Sequence, residues 1–407
     1  MKDTNLTTAI FTVCNLKYLH FAKTLADSVY NSNKLQTHIF IFDKKTDLDL
    51  NDSYTKIYWI EEVADVGFFQ RAFKYNVIEL TTAYKPFLTQ FLLKDYNKVI
   101  FFDPDVLLIG KIDNIINILN ENDFLITPHR ISFIDDPASN INLQRFGFYN
   151  LGFFAARNSK QSLNILEWWW NQCKTNCFDE SHYGSFTDQK WMDLAVKFFT
   201  SIHVLKNPGY NVAWWNLVER KITHENQCFL INNSPLIFFH YSAFDENLLA
   251  AKQFERGHNN QIILNKIISI YKLALKKNQT LKYKDYNYSY DYLENGKYIN
   301  QIARRAYSSY FEDFKDIQNP FRYERRIHKF LKKNFLYEKK PKNFLLIKEK
   351  DLEKFKIHNR IYKALLRIIL YFIGPSYFLA LLRLFIYTGI STINSHLWIR
   401  NTNCKGK

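Results

Sequence analysis

The chain has 407 residues, 47% of them hydrophobic and 17% aromatic, which is enough for two or three folded domains and excludes a disordered protein. Its net charge of +16 is lopsided: residues 1–245 carry 23 Lys+Arg against 26 Asp+Glu, and residues 246–407 carry 32 against 13. The whole positive excess lies in the C-terminal part, which calls for an anionic partner, either nucleic acid or an anionic membrane surface.

In chain order, Thr8–Val13 is an apolar run of strand type, and Leu19–Tyr30 places Leu19, Ala22, Leu25, Ala26 and Val29 at helical spacing. His38–Phe42 is a second strand, ending at Asp43. This strand-helix-strand order predicts a parallel sheet. Ile57–Ile60 is the expected third strand, and Phe69–Lys94 a helical stretch broken near Pro86. Val99–Phe102 follows as a strand buried on both faces. Beyond it come a helix at Ile112–Leu119, a short strand at Asp123–Thr127, a strand at Gly147–Arg157 and a helix at Gln161–Cys173. Thr187–Leu194 is expected to open a helix, Ile202–Leu205 to form a strand, and Leu236–Phe239 to form the last core strand, ended by His240.

The five cysteines, Cys14, Cys173, Cys177, Cys228 and Cys404, are odd in number and scattered, and Met1–Thr8 lacks the pattern of a signal peptide. A reducing, cytoplasmic location is the expectation. Cys173 and Cys177 lie four apart without a second pair, which favours buried structural thiols over a zinc site.

The strand Val99–Phe102 ends in Asp103-Pro104-Asp105. In extended chain, residues two apart face the same side, so both carboxylates can meet one hard divalent cation such as Mg2+ or Mn2+, with substrate phosphate completing the shell. The same tripeptide is ordinary turn chemistry. Ligands of open α/β sheets bind beyond the carboxyl ends of strands, where Asp103, Asp105 and His240 all fall.

Thr81-Thr82-Ala83-Tyr84-Lys85-Pro86, Lys98 to Asp105, Tyr149-Asn150-Leu151-Gly152, Asp188-Gln189 and His240 occur in an order and spacing that resemble glycosyltransferase family eight and related bacterial polysaccharide and lipopolysaccharide glycosyltransferases. The resemblance spans roughly residues 8–245. It implies an α/β fold of GT-A type, a Rossmann-like, mainly parallel sheet flanked by helices, here followed by a helical, basic C-terminal region. It also implies a nucleotide-sugar donor, expected to be a UDP-sugar, and a glycan or glycolipid acceptor. By the same resemblance Asp103, Asp105 and His240 would hold Mn2+ or Mg2+, with Asp103 also reaching the donor's ribose. Asn150 would contact sugar hydroxyls and Lys85 the donor. Asp188 and Gln189 would stand beside the anomeric carbon, an arrangement that implies retention. Val13, Cys14 and Asn15 would lie near the nucleobase.

The local alternatives are a helix N-terminal carboxylate for Asp188, a capping residue for Gln189 and a solvated surface lysine for Lys85. Two departures from the family are visible. No acidic residue stands at Val13–Asn15, and Tyr241-Ser242-Ala243-Phe244-Asp245 replaces the Lys-Pro-Trp element whose lysine holds the pyrophosphate, leaving Lys252 or a C-terminal arginine for that task. Inverting chemistry would instead need a carboxylate base, Asp188 or Asp193.

The expected organisation is a catalytic domain over 1–245, a basic helical region over 246–345 and an amphipathic helical tail over 346–407. In the tail, the uncharged stretches Ile368–Leu382 and Leu384–Ile399 hold 15 and 16 residues, short of the ~20 that span a bilayer, which favours a hairpin in the membrane interface at the inner face of the cell membrane. Packing of these helices on protein is the alternative. The competing functions are a nucleic-acid-binding protein using the basic region, disfavoured because no module signature is present, a nucleotidyltransferase, and a non-catalytic protein on the same fold.

Overall fold

Four parallel strands, β1 (Thr8–Cys14), β2 (Thr37–Ile41), β3 (Thr55–Trp59) and β4 (Lys98–Phe102), lie side by side in the order β4-β1-β2-β3. They are seen in a computed structural model that describes residues 8–47, 50, 52–242, 244, 261–281, 283, 286–338 and 356–385. After β4 come the short β5 (Val106–Leu108), β6 (Phe124–Pro128), β7 (Tyr149–Arg157) and β8 (Ile202–Val204). The complete sheet has seven strands in the order β8-β6-β7-β4-β1-β2-β3. Only β7 runs against its neighbours, β4 and β6, so the sheet is mainly parallel, with helices around it.

The sheet is held by apolar side chains on both faces. Phe11, Phe101, Phe154 and Phe124 come from four adjacent strands, with successive ring centroids 5.0, 5.1 and 5.7 Å apart. Each aromatic pair of this kind contributes about 0.5–1.5 kcal/mol beyond the area it buries. The phenylalanine-rich composition is thus spent on a core.

The reversed direction of β7 positions the site. Because it antiparallels β4, its first residues lie beside the last of β4, and the Asp103 amide donates to the Gly152 carbonyl at 2.9 Å. A register shift between Ile126 and Thr127 sets Thr127 opposite Asn150.

The strand that carries the histidine, β9 (Phe238–His240), differs from expectation. It lies outside the seven-stranded sheet and pairs antiparallel with β5, with His240 opposite Val106. The Tyr241 amide donates to the Asp105 carbonyl at 2.9 Å. A backbone ladder therefore clamps the histidine beside the aspartates, a stricter placement than a shared sheet edge.

Other local expectations shift for identifiable reasons. The helical stretch is broken near Pro86 as expected, between Val77–Ala83 and Lys85–Leu92, but Pro86 is not inside the break. It sits in the first turn of Lys85–Leu92, where its missing N–H is harmless. The stretch opening at Thr187 is not yet helical: Thr187 has a left-handed φ of 47°, and the helix starts only at Met192.

Chain packing defines two units, described separately. The described residues of Met1–Phe68 and Val77–Ser289 hold the sheet. Helix Gln261–Lys277, beyond the expected boundary at 245, belongs to this unit. Its Leu264, Ile267 and Tyr271 pack with Tyr241 and Phe244, the residues that replace the family's Lys-Pro-Trp element.

The second unit comprises the described residues of Phe69–Asn76 and Tyr290–Lys407. Its organising side chain is Arg304, 1% exposed, whose guanidinium donates to the carbonyls of Ala72, Phe73, Tyr75 and Tyr290 and to the Asp291 carboxylate. Helix Arg325–Lys333 buries Ile327, Phe330 and Leu331 and turns its lysines outward. Helix Lys356–Phe385 is interrupted at Gly374, whose φ of 74° precedes Pro375. Within it, Ala364–Leu384 is the one described helix long and apolar enough to cross a membrane.

Candidate active site

The carboxyl ends of β1 and β4, the start of β7, the segment Thr187–Gln189 and the end of β9 surround one site in the first unit. Asp103 and Asp105 follow β4 and are part-buried, and His240 is 3% exposed. One ligand atom from each of these three lies within 4.8 Å of the others. His240 Nε2 is 3.2 Å from Asp105 Oδ1 and 3.8 Å from Asp103 Oδ2. Burial alone pulls the imidazole pKa down, but the Asp105 and Asp103 charges override it, and the net shift is upward. Two carboxylates and an imidazole are donors that suit a hard or borderline divalent ion of the Mn2+ or Mg2+ class.

Lys85 is 2% exposed, which excludes a solvated surface lysine. Its ammonium donates to the Leu151 carbonyl at 3.0 Å and lies 3.2 Å from Asp103 Oδ1 and 3.3 Å from Asp188 Oδ2. It links the carboxylate beside the metal group to the one across the cleft. Burial opposes its charge, yet the two carboxylates leave its pKa raised.

Asp188 is 1% exposed, and burial, offset in part by Lys85, pushes its carboxyl up to about 6. It precedes no helix start, so the N-terminal-carboxylate alternative lapses. Gln189 caps nothing either. Its oxygen accepts from the Leu151 amide at 3.1 Å and from Asn150 Nδ2 at 3.3 Å, while its nitrogen donates to the Phe146 carbonyl at 2.9 Å. Asn150 is thereby tied to Gln189 on one side, and its oxygen accepts from the Gly152 amide at 3.1 Å on the other.

At the end of β1, Val13 and Cys14 are 4% and 3% exposed. Burial, with Asp43 adding, pushes the Cys14 thiol far up, so it stays neutral. The Asn15 side chain accepts from the Tyr18 amide. An acidic residue does stand here, supplied by the end of β2: Asp43 is fully buried and accepts from the amides of Leu16 and Ser289 at 2.8 and 2.9 Å. Asp193, the alternative base, is engaged at both oxygens, by the Phe148 amide and by Lys190, each at 2.9 Å. Lys252 lies outside the described residues.

Three further neighbours of the site were given no role of their own from the sequence. Gly152 leaves room for the histidine: a Cβ there would lie 2.3 Å from His240 Cε1. Asn211, fully buried with a left-handed φ of 49°, touches His240 Nδ1, Asn150 and Thr127. Trp215 stands edge-on to the His240 ring at 5.3 Å.

A mainly parallel α/β sheet with helices around it is the fold of GT-A glycosyltransferases. In agreement, residues 35–236 match the family of nucleotide-diphospho-sugar transferases, so the chain carries a glycosyltransferase-type domain. Two uncharacterised proteins of Bacillus subtilis strain 168 are similar to it. YfnF is 32% identical over 104 residues, 25% of this chain and 34% of YfnF. YfnD is 31% identical over 112 residues, 27% of this chain and 35% of YfnD. The chain spans about a third of the length of these relatives. Among solved structures, similarity is found to the galactosyltransferase LgtC in complex with donor and acceptor sugar analogues, at 15% identity over 61% of this chain and 94% of that one, with a TM-score of 0.39. The bifunctional glycosyltransferase WbbM is 13% identical over 68% of this chain and 52% of its own, with a TM-score of 0.41. GlyE of Streptococcus pneumoniae TIGR4 is 13% identical over 75% of this chain and 73% of its own, with a TM-score of 0.36.

Proposed function

We propose that the protein is a metal-dependent glycosyltransferase that moves a sugar from a UDP-sugar to a glycan or glycolipid acceptor, a precursor of a cell-surface polysaccharide or lipopolysaccharide, with retention at the anomeric carbon. The observation that carries this reading is the convergence of Asp103, Asp105 and His240 with the Lys85–Asp188 pair and Gln189 in one site.

Asp103, Asp105 and His240 would hold Mn2+ or Mg2+, which when bound supplies a Lewis acid that stabilises charge on a departing nucleoside diphosphate. The chain's own residues do the rest. Lys85, buried between Asp103 and Asp188, holds both carboxylates in place. Asp188 and Asn150 would contact donor-sugar hydroxyls. The Gln189 oxygen is immobilised by Leu151 and Asn150, a preorganised dipole for positive charge developing at the anomeric carbon. Asp193 is engaged at both oxygens, which disfavours it as the base of an inverting reaction. Tyr241 and Phe244 are core residues, so the pyrophosphate contact comes from elsewhere in the chain.

The helix Ala364–Leu384 and the outward lysines of Arg325–Lys333 support work at the cytoplasmic face of a membrane, where each Lys or Arg near an anionic leaflet contributes about 1 kcal/mol. Hydrolysis of a panel of UDP-sugars with Mn2+ or EDTA tests the activity. Asp105→Ala and His240→Ala should each abolish Mn2+-dependent hydrolysis with the far-UV spectrum unchanged. Full activity in both variants refutes the site.

A further inference from the structure

The site contains a hydrogen-bond chain whose polarity is fixed at its origin. A backbone N–H can only donate, so the Gly152 amide requires the Asn150 oxygen to face it, at 3.1 Å. That oxygen can then receive a second donor, and Asn211 Nδ2 lies 2.9 Å away. The same Asn211 nitrogen reaches Thr127 Oγ1 at 2.9 Å, whose own proton goes to the Asn150 carbonyl. With its nitrogen so committed, Asn211 turns its oxygen to His240 Nδ1, at 3.2 Å. An amide oxygen only accepts, so Nδ1 must carry the proton. In the neutral imidazole Nε2 is then left as a lone pair, aimed at Asp105 Oδ1 and Asp103 Oδ2. Carboxylate oxygens facing that lone pair are bridged either by a proton on Nε2 or by a bound cation.

We propose that Asn211 is the positioning residue of this site: its side-chain oxygen holds His240 in the Nδ1–H tautomer and so presents Nε2 to a divalent cation. Outer partners of this kind govern ligand orientation and basicity. The inference rests on the cation-binding reading of Asp103, Asp105 and His240. Burial supports the role, since Asn211 is fully enclosed and its amide has no other orientation that satisfies Asn150 and Thr127 together. The left-handed backbone at 211 is one that Asn and Gly adopt readily, which makes a clean deletion available.

The test uses the full chain, free of metal and then titrated with Mn2+. Long-range 15N–1H spectra of the imidazoles report the tautomer, and electron paramagnetic resonance reports free Mn2+. Wild type should show His240 protonated at Nδ1. Asn211→Gly should lose that preference and bind Mn2+ about 10- to 100-fold more weakly. Asn211→Asp, which keeps an acceptor for Nδ1–H, should stay within a few-fold of wild type. Urea midpoints in EDTA separate these effects from unfolding. An Nε2–H tautomer in wild type overturns the proposal without any variant, as does equal Mn2+ affinity in wild type and Asn211→Gly, or equal loss in Gly and Asp variants. Should wild type bind no Mn2+, the cation reading fails, while the tautomer in the same spectra still decides the role of Asn211.

Discussion

Replacing Gly152 with alanine is the sharpest perturbation of the site. A Cβ at 152 would sit 2.3 Å from His240 Cε1, 2.6 Å from its Nδ1 and 2.9 Å from Asn150 Oδ1. Ordinary contacts begin near ~3.5 Å, so the imidazole has to retreat by roughly 1 Å. The strand cannot yield in its place, because the Gly152 amide is bound to Asn150 and its carbonyl to the Asp103 amide. Gly152 does not occupy the left-handed region, so alanine fits its backbone and the whole effect comes from one methyl group. A displacement of this size costs on the order of 100-fold in rate and 10- to 100-fold in metal affinity. Overpacking costs about 1–3 kcal/mol of stability. Mn2+ affinity, Mn2+-dependent donor hydrolysis and urea unfolding in EDTA measure the three. Combining Gly152→Ala with His240→Gly should recover most of the stability and none of the metal binding. A Gly152→Ala protein with wild-type Mn2+ affinity and urea midpoint would refute the packing argument.

Further outcomes are expected. His38, 1% exposed in β2, has its pKa lowered to about 4 by burial and, secondarily, by Lys56. The unfolded chain therefore binds more protons between about pH 6.5 and 4, and stability falls as pH drops through that window, by up to about 3 kcal/mol. The urea midpoint of His38→Phe should flatten this limb, and an unchanged slope would disprove the assignment. Arg304→Met in the second unit strands four carbonyls and the Asp291 carboxylate, and should cost about 3–5 kcal/mol in urea unfolding, with Arg304→Lys failing to restore it because an ammonium cannot span the same fork. A chain ended near residue 345 should lose sedimentation with anionic liposomes while keeping donor hydrolysis. Retention of that binding would count against the apolar helix as the membrane contact.

Much of this architecture was legible in the sequence because its determinants are local. Apolar periodicity fixed β1, β2 and the intervening helix, and the Asp-Pro-Asp group was visible because two of its ligands are encoded side by side at a strand end. The apolar run before it put His240 at a strand end, but its reading as a metal ligand came only through ordered resemblance, since nothing near it in the chain speaks of metal. Lys85 was read with a surface alternative, because one lysine gives no sign of its own burial. Tyr241 and Phe244 looked like a missing phosphate contact and are core against helix Gln261–Lys277.

The sequence by itself determined which segments become strands and helices, since side-chain alternation follows from the 2.0 and 3.6 periods of the backbone. It also determined which chemistry the chain can offer. The tertiary structure alone decided how that chemistry meets. Reversal of β7 brings Asn150 and Gly152 beside Asp103, and β9 pairing with β5 brings His240 to the aspartates. The hydrogen-bond direction that runs from Gly152 to His240 exists only once those registers are set. Contacts between residues far apart in the chain depend on strand order, direction and register, which no local pattern encodes.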